Sequence, residues 1–173
     1  WACYHTTLYE FPIMGGVCGI IGCAVGGPFA VLVAEELFAS GCELVVSITS
    51  AGQILPVRQP PYFILIDRAL RDEGTSHHYL APAPYATLDP ALRTFCDTAL
   101  RSSGLPVESG ATWTTDAPFR ETETSISAAK ERGILAVEME AASLYAMAEA
   151  RRRPIVCFAH ITNRMGVEAG DFE

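Results

Sequence analysis

Apolar segments that alternate between strand and helix character run along most of this chain, and that alternation limits its fold more than any other feature. Val17 to Val25 reads as a strand, as do Glu43 to Thr49, Tyr62 to Ile66, Val107 to Trp113, Ile134 to Val137 and Pro154 to Ile161. Helix-like stretches lie between them. Over Pro28 to Ser40, Ala30, Val33, Ala34 and Leu37 recur at i, i+3, i+4 and i+7, with Pro28 suited to the first turn and Gly41 to the C-terminal cap. Pro90 to Ser103, Glu121 to Arg132 and Glu140 to Arg152 read the same way, the last stacking Ala141, Leu144, Tyr145 and Ala148 on one face. Strands alternating with helices predict an α/β domain whose central sheet, largely parallel or mixed, is flanked by helices. The stretches Gln53 to Pro61 and Arg71 to Asp89 are rich in Pro, Gly and polar residues and are expected to be loops over that sheet.

At 173 residues, half of them apolar, the chain fits one domain with a sizeable core. A net charge of −8 argues against a general grip on nucleic acid, which needs a basic surface, although local donors could still hold an anionic substrate. The longest apolar run, Val17 to Val25, is interrupted by Gly19 and Gly22 and falls short of the roughly 20 residues of a membrane-spanning helix. The six cysteines form no CxxC pair and no metal-ligand cluster. They read as small buried hydrophobes in a reducing, cytoplasmic setting, and neither a metal nor an organic cofactor is expected. No secretory leader is visible. Arg151 to Arg153 reads as a solvated helix end opposing the negative pole of the helix dipole.

The residues able to do chemistry cluster at strand ends. In Gly133 to Tyr145, GILAVEMEAASLY, a buried strand runs into a helix, with Glu138, Met139 and Glu140 at the junction. Residues two apart in an extended segment point the same way, and open α/β sheets usually bind ligands at the carboxyl ends of their strands. A carboxylate there also complements the positive end of the helix dipole. Gly26-Gly27-Pro28 joins a strand to a helix, either as a plain turn or with helix amides presented to an anion. Ser50-Ala51-Gly52 follows the strand ELVVSIT as a turn. Asp116 could orient its loop or make an Asx turn ahead of Pro118. Phe119 offers an aromatic face, and Asn163 and Arg164 follow the last strand. The adjacent His77 and His78 suggest a solvated loop more than a metal site.

These blocks, in this order, resemble those of the nucleoside phosphorylase family, which cleaves N-glycosidic bonds, over Gly26 to Arg164. GILAVEMEAASLY resembles the family signature. GGPFAVLVAEELFASG and ITSAGQI resemble its GGPS-type helix and G[ST]xG turn. The stretch Trp113 to Glu121 resembles its [ST]xD-F/Y block, and Glu73 to His78 its DGxSxH loop. The resemblance implies a nucleoside phosphorylase-like fold and a single domain over residues 1–173 without the family's N-terminal and C-terminal segments. It implies phosphate as co-substrate, free base and pentose 1-phosphate as products, and a homo-oligomer. Glu140, with Met139 and Glu138, would hold the ribose, and Ser50 the phosphate. Ala51, Gly52, Phe119, Asn163 and Arg164 would line the base side, and His78 and Asp116 would belong to a substrate loop.

Four positions depart from the family pattern. Bacterial phosphorylases carry a phosphate-binding arginine where this chain has Ser47, and the related nucleosidases, which use water, also lack it. Hydrolysis is therefore the alternative, and non-catalytic nucleoside binding a further one. The Gln and Arg that read uracil in uridine phosphorylases are not found near Thr122 and Thr124. Purine-cleaving members keep an acid where Asn163 stands, and an amide cannot act as a general acid. With Arg164 beside it, the expectation leans towards pyrimidine nucleosides.

Overall fold

The computed structural model describes Trp1, Cys3 and residues 5–164. Near the N-terminus, β1 (Tyr9–Ile13) and β2 (Gly16–Ile20) form a separate antiparallel hairpin, turned by Met14 and Gly15 at φ 39° and 86°. Positive φ at both central residues suits the twist of a two-residue hairpin. This corrects the expected core strand over Val17 to Val25. β2 ends at Ile20, and its residues are exposed or half-buried, because they pair only with β1. Cys18 is accordingly half-buried and Cys23 exposed, whereas Cys3, Cys96 and Cys157 are buried.

The remaining elements are α1 (Gly27–Ala39), β3 (Val45–Gln53), β4 (Tyr62–Asp72), β5 (Tyr85–Thr87), α2 (Pro90–Ser103), β6 (Val107–Thr115), α3 (Glu123–Glu131), β7 (Ala136–Glu138), α4 (Ala141–Arg151) and β8 (Ile155–Arg164). Six strands make one sheet in the order β5-β4-β6-β7-β3-β8, and β8 also pairs with β4. Five strands therefore close into a ring, with β5 attached to β4. The pairs β3–β8, β4–β6 and β6–β7 are parallel, and β3–β7, β4–β8 and β4–β5 are antiparallel. The sheet is mixed and closed, and closure leaves few open strand edges.

Local signals explain the helix ends. Asp89 Oδ1 accepts the amides of Ala91 and Leu92 at 2.9 and 3.0 Å, Pro90 opens α2, and Gly104 ends it at φ 68°. Thr122 caps α3, accepting the Ser125 amide at 3.2 Å. α4 differs from its expected single apolar face, since every residue from Ala141 to Met147 is buried. It packs with α1 against β4, β5 and β8 in the larger core, while α3 covers a smaller one around Trp113, Ile134 and Val137. Arg151 pairs with Glu35 at 2.8 Å, and the Arg153 guanidinium lies 5.4 Å from the centre of the Phe38 ring.

Four strands run further than expected: β6 reaches Thr115, and β8 reaches Arg164, so Asn163 and Arg164 lie within the last strand, paired with β3, rather than after it. β4 continues to Asp72, taking the start of the expected loop Arg71 to Asp89 into the sheet. Arg71 is buried there and donates to the carbonyls of Leu80, Ala81 and Ala83, which folds the following loop onto the strand end. β3 continues through Ser50, Ala51 and Gly52 to Gln53, so those residues are strand rather than turn, with an irregularity between Ala51 and Gly52. No helix among the described residues is long and apolar enough to cross a membrane.

Candidate functional site

The site is set by the antiparallel pairing of β7 with β3. Gly52 lies opposite Val137 and Gln53 opposite Ala136. Continuing that register beyond the end of β7 brings Glu140 abreast of Thr49, in the middle of β3. The two side chains meet: Thr49 Oγ1 donates to Glu140 Oε2 at 2.6 Å. The N-terminus of α1 closes the other side, where the Gly26 amide donates to Glu140 Oε1 at 2.7 Å. Gly26 has φ 86°, a left-handed conformation open to glycine without strain, and this turn aims its N–H at the acid. The first amide of that helix end is thus held by a carboxylate of the protein itself.

Glu138 and Glu140 are both buried, at 3% and 5% exposure, but their acceptor capacity differs. A carboxylate offers about four lone-pair sites. Glu138 fills its own. Oε1 accepts the hydroxyls of Thr112 at 3.0 Å and Thr114 at 2.5 Å, and Oε2 accepts the amides of Glu140 and Ala141 at 2.7 Å each. Thr114 Oγ1 also accepts the Ala142 amide at 3.0 Å. The unpaired amides at the start of α4 are therefore capped from the neighbouring strands, and Glu140, at the N-cap position, makes no cap bond with its own side chain. That leaves Glu140, among the described residues, with one protein bond on each oxygen and an acceptor site unused on each. The two glutamates of the signature therefore differ: among the described residues Glu138 has all four acceptor sites taken and Glu140 has two unused.

Burial pushes the Glu138 carboxyl up to about 7, and the charge of Glu140 adds to this. The bonds from Thr114, Ala141 and Glu140 oppose the rise.

A third buried acid, Glu73, stands behind the α1 turn at 7% exposure. Its Oε2 accepts Ser143 Oγ at 2.5 Å and the Ser76 amide at 2.9 Å, while Ser76 Oγ accepts Arg71 Nε at 2.8 Å. Burial opposes its charge, but the bonds from Ser143, Ser76 and Thr75 outweigh burial and hold its carboxyl below the usual range.

The other sequence candidates are distributed around this cluster. Met139 is half-buried between the two acids. Ala51 and Gly52 are buried, and Asn163 lies beside Gly52 in the β3–β8 register. Ser50 is exposed and, by strand alternation, on the opposite face from Thr49; it pairs in register with His160, whose ring stacks on Phe63 at 4.6 Å. Arg164 is exposed and donates to Gln59 Oε1. Phe119 is 87% exposed, and His78 is exposed at the end of a short 3₁₀ turn, Thr75–His78. Asp116 Oδ2 accepts the Gly74 amide at 2.8 Å and so ties the loop after β4 to the end of β6. The local turn ahead of Pro118 is made by Thr115, whose hydroxyl accepts the Ala117 amide at 3.1 Å.

Gly26 was legible as a strand-to-helix turn whose amides could meet an anion, and Glu73 only as the start of the Glu73 to His78 block; Thr49, Ser143, Thr112 and Thr114 carry no chemical signal of their own in the sequence. Among the described residues no group of three or more His, Cys, Asp or Glu could hold a metal ion.

The sequence pattern that defines the Phosphorylase superfamily matches residues 3–173. An uncharacterized protein of Acanthamoeba polyphaga mimivirus is 27% identical over 84% of this chain and 56% of its own length. A uridine phosphorylase of Thermococcus kodakarensis is 28% identical over 98% of this chain and 66% of its own. The chain thus spans between about half and two thirds of these relatives. A crystal structure of uridine phosphorylase from Vibrio fischeri superposes with a TM-score of 0.82 at 23% identity, covering 91% of this chain and 66% of that one. Another, complexed with 6-hydroxy-1-naphthoic acid, gives 0.84 at 21% identity, covering 96% and 69%. At such identities the structural likeness concerns the fold.

Proposed function

Because this chain belongs to the Phosphorylase superfamily, we propose that its Glu140 carboxylate grips the pentose of a nucleoside whose N-glycosidic bond is cleaved with phosphate, giving free base and pentose 1-phosphate. The observation that carries this reading is the spare acceptor on each Glu140 oxygen, in an acid held on both sides by Gly26 and Thr49. Two free lone pairs on one buried carboxylate match two adjacent hydroxyls, and a buried carboxylate stabilises the positive charge that builds on the sugar as the bond to the base lengthens. Met139 lies beside the sugar. Ala51, Gly52 and Asn163 sit at the adjoining strand ends on the base side, and Phe119 and Arg164 stand further out, from where they could meet the base. The seat of phosphate lies along the second half of β3. Ser50 is its donor by resemblance, but Thr49 is the hydroxyl that touches Glu140, and of the two we take Thr49 as the one facing the attacking oxygen.

In this reaction the C1′–N bond breaks, a C1′–O bond to phosphate forms, and the departing base gains a proton or hydrogen bonds. Asn163 cannot supply that proton, so a pyrimidine, whose carbonyl charge Arg164 could stabilise, is the favoured base. The test is base release from uridine, thymidine, inosine and adenosine with and without phosphate. Phosphate-dependent release of a pentose 1-phosphate, fastest with a pyrimidine, is the expected result. Free pentose at a rate indifferent to phosphate would make the protein a hydrolase, the reading Ser47 favours. Heat of binding without turnover would make it a nucleoside-binding protein. Glu140→Gln is expected to slow cleavage at least about tenfold, the effect of losing roughly 1.4 kcal/mol of transition-state stabilisation.

A further inference from the structure

We propose that Glu73 is a positioning residue for the sugar clamp: with Ser143 it fixes where α1 presents the Gly26 amide to Glu140. The inference rests on the reading of Glu140 as the group that holds the sugar. Three contacts carry it. Ser143 lies on α4 three residues after Glu140, is fully buried, and donates to Glu73 Oε2 at 2.5 Å. Gly27 is pressed so closely on Ser143 that a side chain at Gly27 would collide with the Ser143 hydroxyl, and it would also come within 3.5 Å of Glu73 Oε2. Gly26, one residue back, makes the bond to Glu140 Oε1 at 2.7 Å. The first turn of α4 and the first turn of α1 are therefore held together through Ser143, and Glu73 sets the position of that serine's hydroxyl.

Glu73 is in turn fixed from behind. The Ser76 amide donates to it at 2.9 Å, and the Arg71 guanidinium, itself buried, holds Ser76 Oγ at 2.8 Å. Its other oxygen, Oε1, is buried without a hydrogen-bond partner among the described residues. An acid so placed is costly in a merely structural role, and the positive end of the α1 dipole beside it offsets part of that cost. Two carboxylates thus share one helix N-terminus, with Glu140 on the Gly26 amide and Glu73 behind the Gly27–Ser143 contact. Moving the second shifts the amide that orients the first.

The test uses Ser143→Ala, which removes only the hydroxyl, beside Glu73→Ala, which removes the acid. Two measurements are made on each. Amide hydrogen exchange at Gly26, followed by NMR, reports its bond to Glu140 without reference to activity. The ratio of kcat/KM for the best ribonucleoside to that for its 2′-deoxy counterpart reports the grip on the sugar diol. In both variants Gly26 exchange is expected to quicken at least about tenfold, with amides in α2 unchanged, and the ratio to fall about fivefold. Partial unfolding alone would lower both substrates together and leave the ratio fixed. Unchanged Gly26 exchange in Ser143→Ala would overturn the proposal, whatever becomes of Glu73→Ala. Faster exchange with an unchanged ratio would overturn it too. Glu140→Gln, tested alongside, shows separately whether the Glu140 reading stands.

Discussion

Two hydroxyls stand next to each other in β3, and only Thr49 reaches the acid; Ser50 is exposed on the other face of the strand. Their neighbours in sequence give no means of choosing between them, because alternation states that two adjacent residues face apart without stating which faces inward. The choice is made by β7, 80 to 90 residues on, whose register sets Glu140 abreast of Thr49. The acids themselves were legible, since their chemistry and spacing lie in one short segment. Their division of labour was not, because the four donors that fill Glu138 come from β6 and from the α4 backbone. We expect Thr49→Ala to lower kcat/KM for the nucleoside about tenfold and Ser50→Ala to change it less than about threefold, since only the former strips a partner from Glu140. Steady-state kinetics at saturating phosphate, with the KM for phosphate measured in each, checks this. A larger effect at Ser50 would return the nucleophile site to the outer face of the strand.

The junction of β7 and α4 shows how an element can be capped by something other than its own N-cap residue. Glu138 and Thr114 satisfy the amides of Glu140, Ala141 and Ala142, and this frees the Glu140 side chain to turn towards α1. The arrangement has a consequence for pH. The Glu138 carboxyl titrates near 7 in the folded protein against an ordinary 4.5. The folded state therefore keeps a proton that the unfolded chain releases, and the stability this group contributes is full below its unfolded pKa and lost as pH rises through about 7. The difference is on the order of 3 kcal/mol at most. Thermal unfolding is accordingly expected to show a Tm that falls between about pH 5 and pH 8, and a flatter dependence in Glu138→Gln, whose amide can face its oxygen to the two backbone donors and its nitrogen to the threonines. An equal slope in the variant would assign the titration to another group, with Glu121 the first to examine, since burial raises its carboxyl to about 7 as well. At this same scale the helices were more legible than the strands. α2 spans Pro90 to Ser103 in the sequence reading and in the structure alike, whereas β3 and β4 run on through Ser50 to Gln53 and through Asp67 to Asp72, where polar residues and glycine hide a strand held by pairing on both sides.

For the molecule as a whole, alternation of strands and helices announced an α/β domain, but not that β8 returns to pair with β4 and close the ring. That pairing joins residues about 100 apart, Tyr62 with Ile161 and Leu65 with Phe158, and leaves no local trace. Closure gives the ring an outer face, and part of it is apolar. Val46 and Ile48 of β3 are 51% and 65% exposed, Ile48 lies beside the half-buried Phe158 in register, and Phe63 is 38% exposed where it stacks on His160. Neighbouring apolar side chains left in water on adjoining strands mark a surface that gains from being covered, at roughly 25 cal/mol for each Å² removed from water. The homo-oligomer implied by the family resemblance would supply such a cover from a second copy. Light scattering on the purified protein at micromolar concentration is therefore expected to give a mass at least twice the 18.6 kDa of one chain. Ile48→Glu, which would bury a carboxylate without a partner in such a contact, is expected to lower that mass towards the single chain. The variant should leave the thermal unfolding of the monomeric fold little changed, because the side chain is already in water. A wild-type mass of one chain, or an assembly indifferent to Ile48→Glu, would mean that this face is not where copies meet.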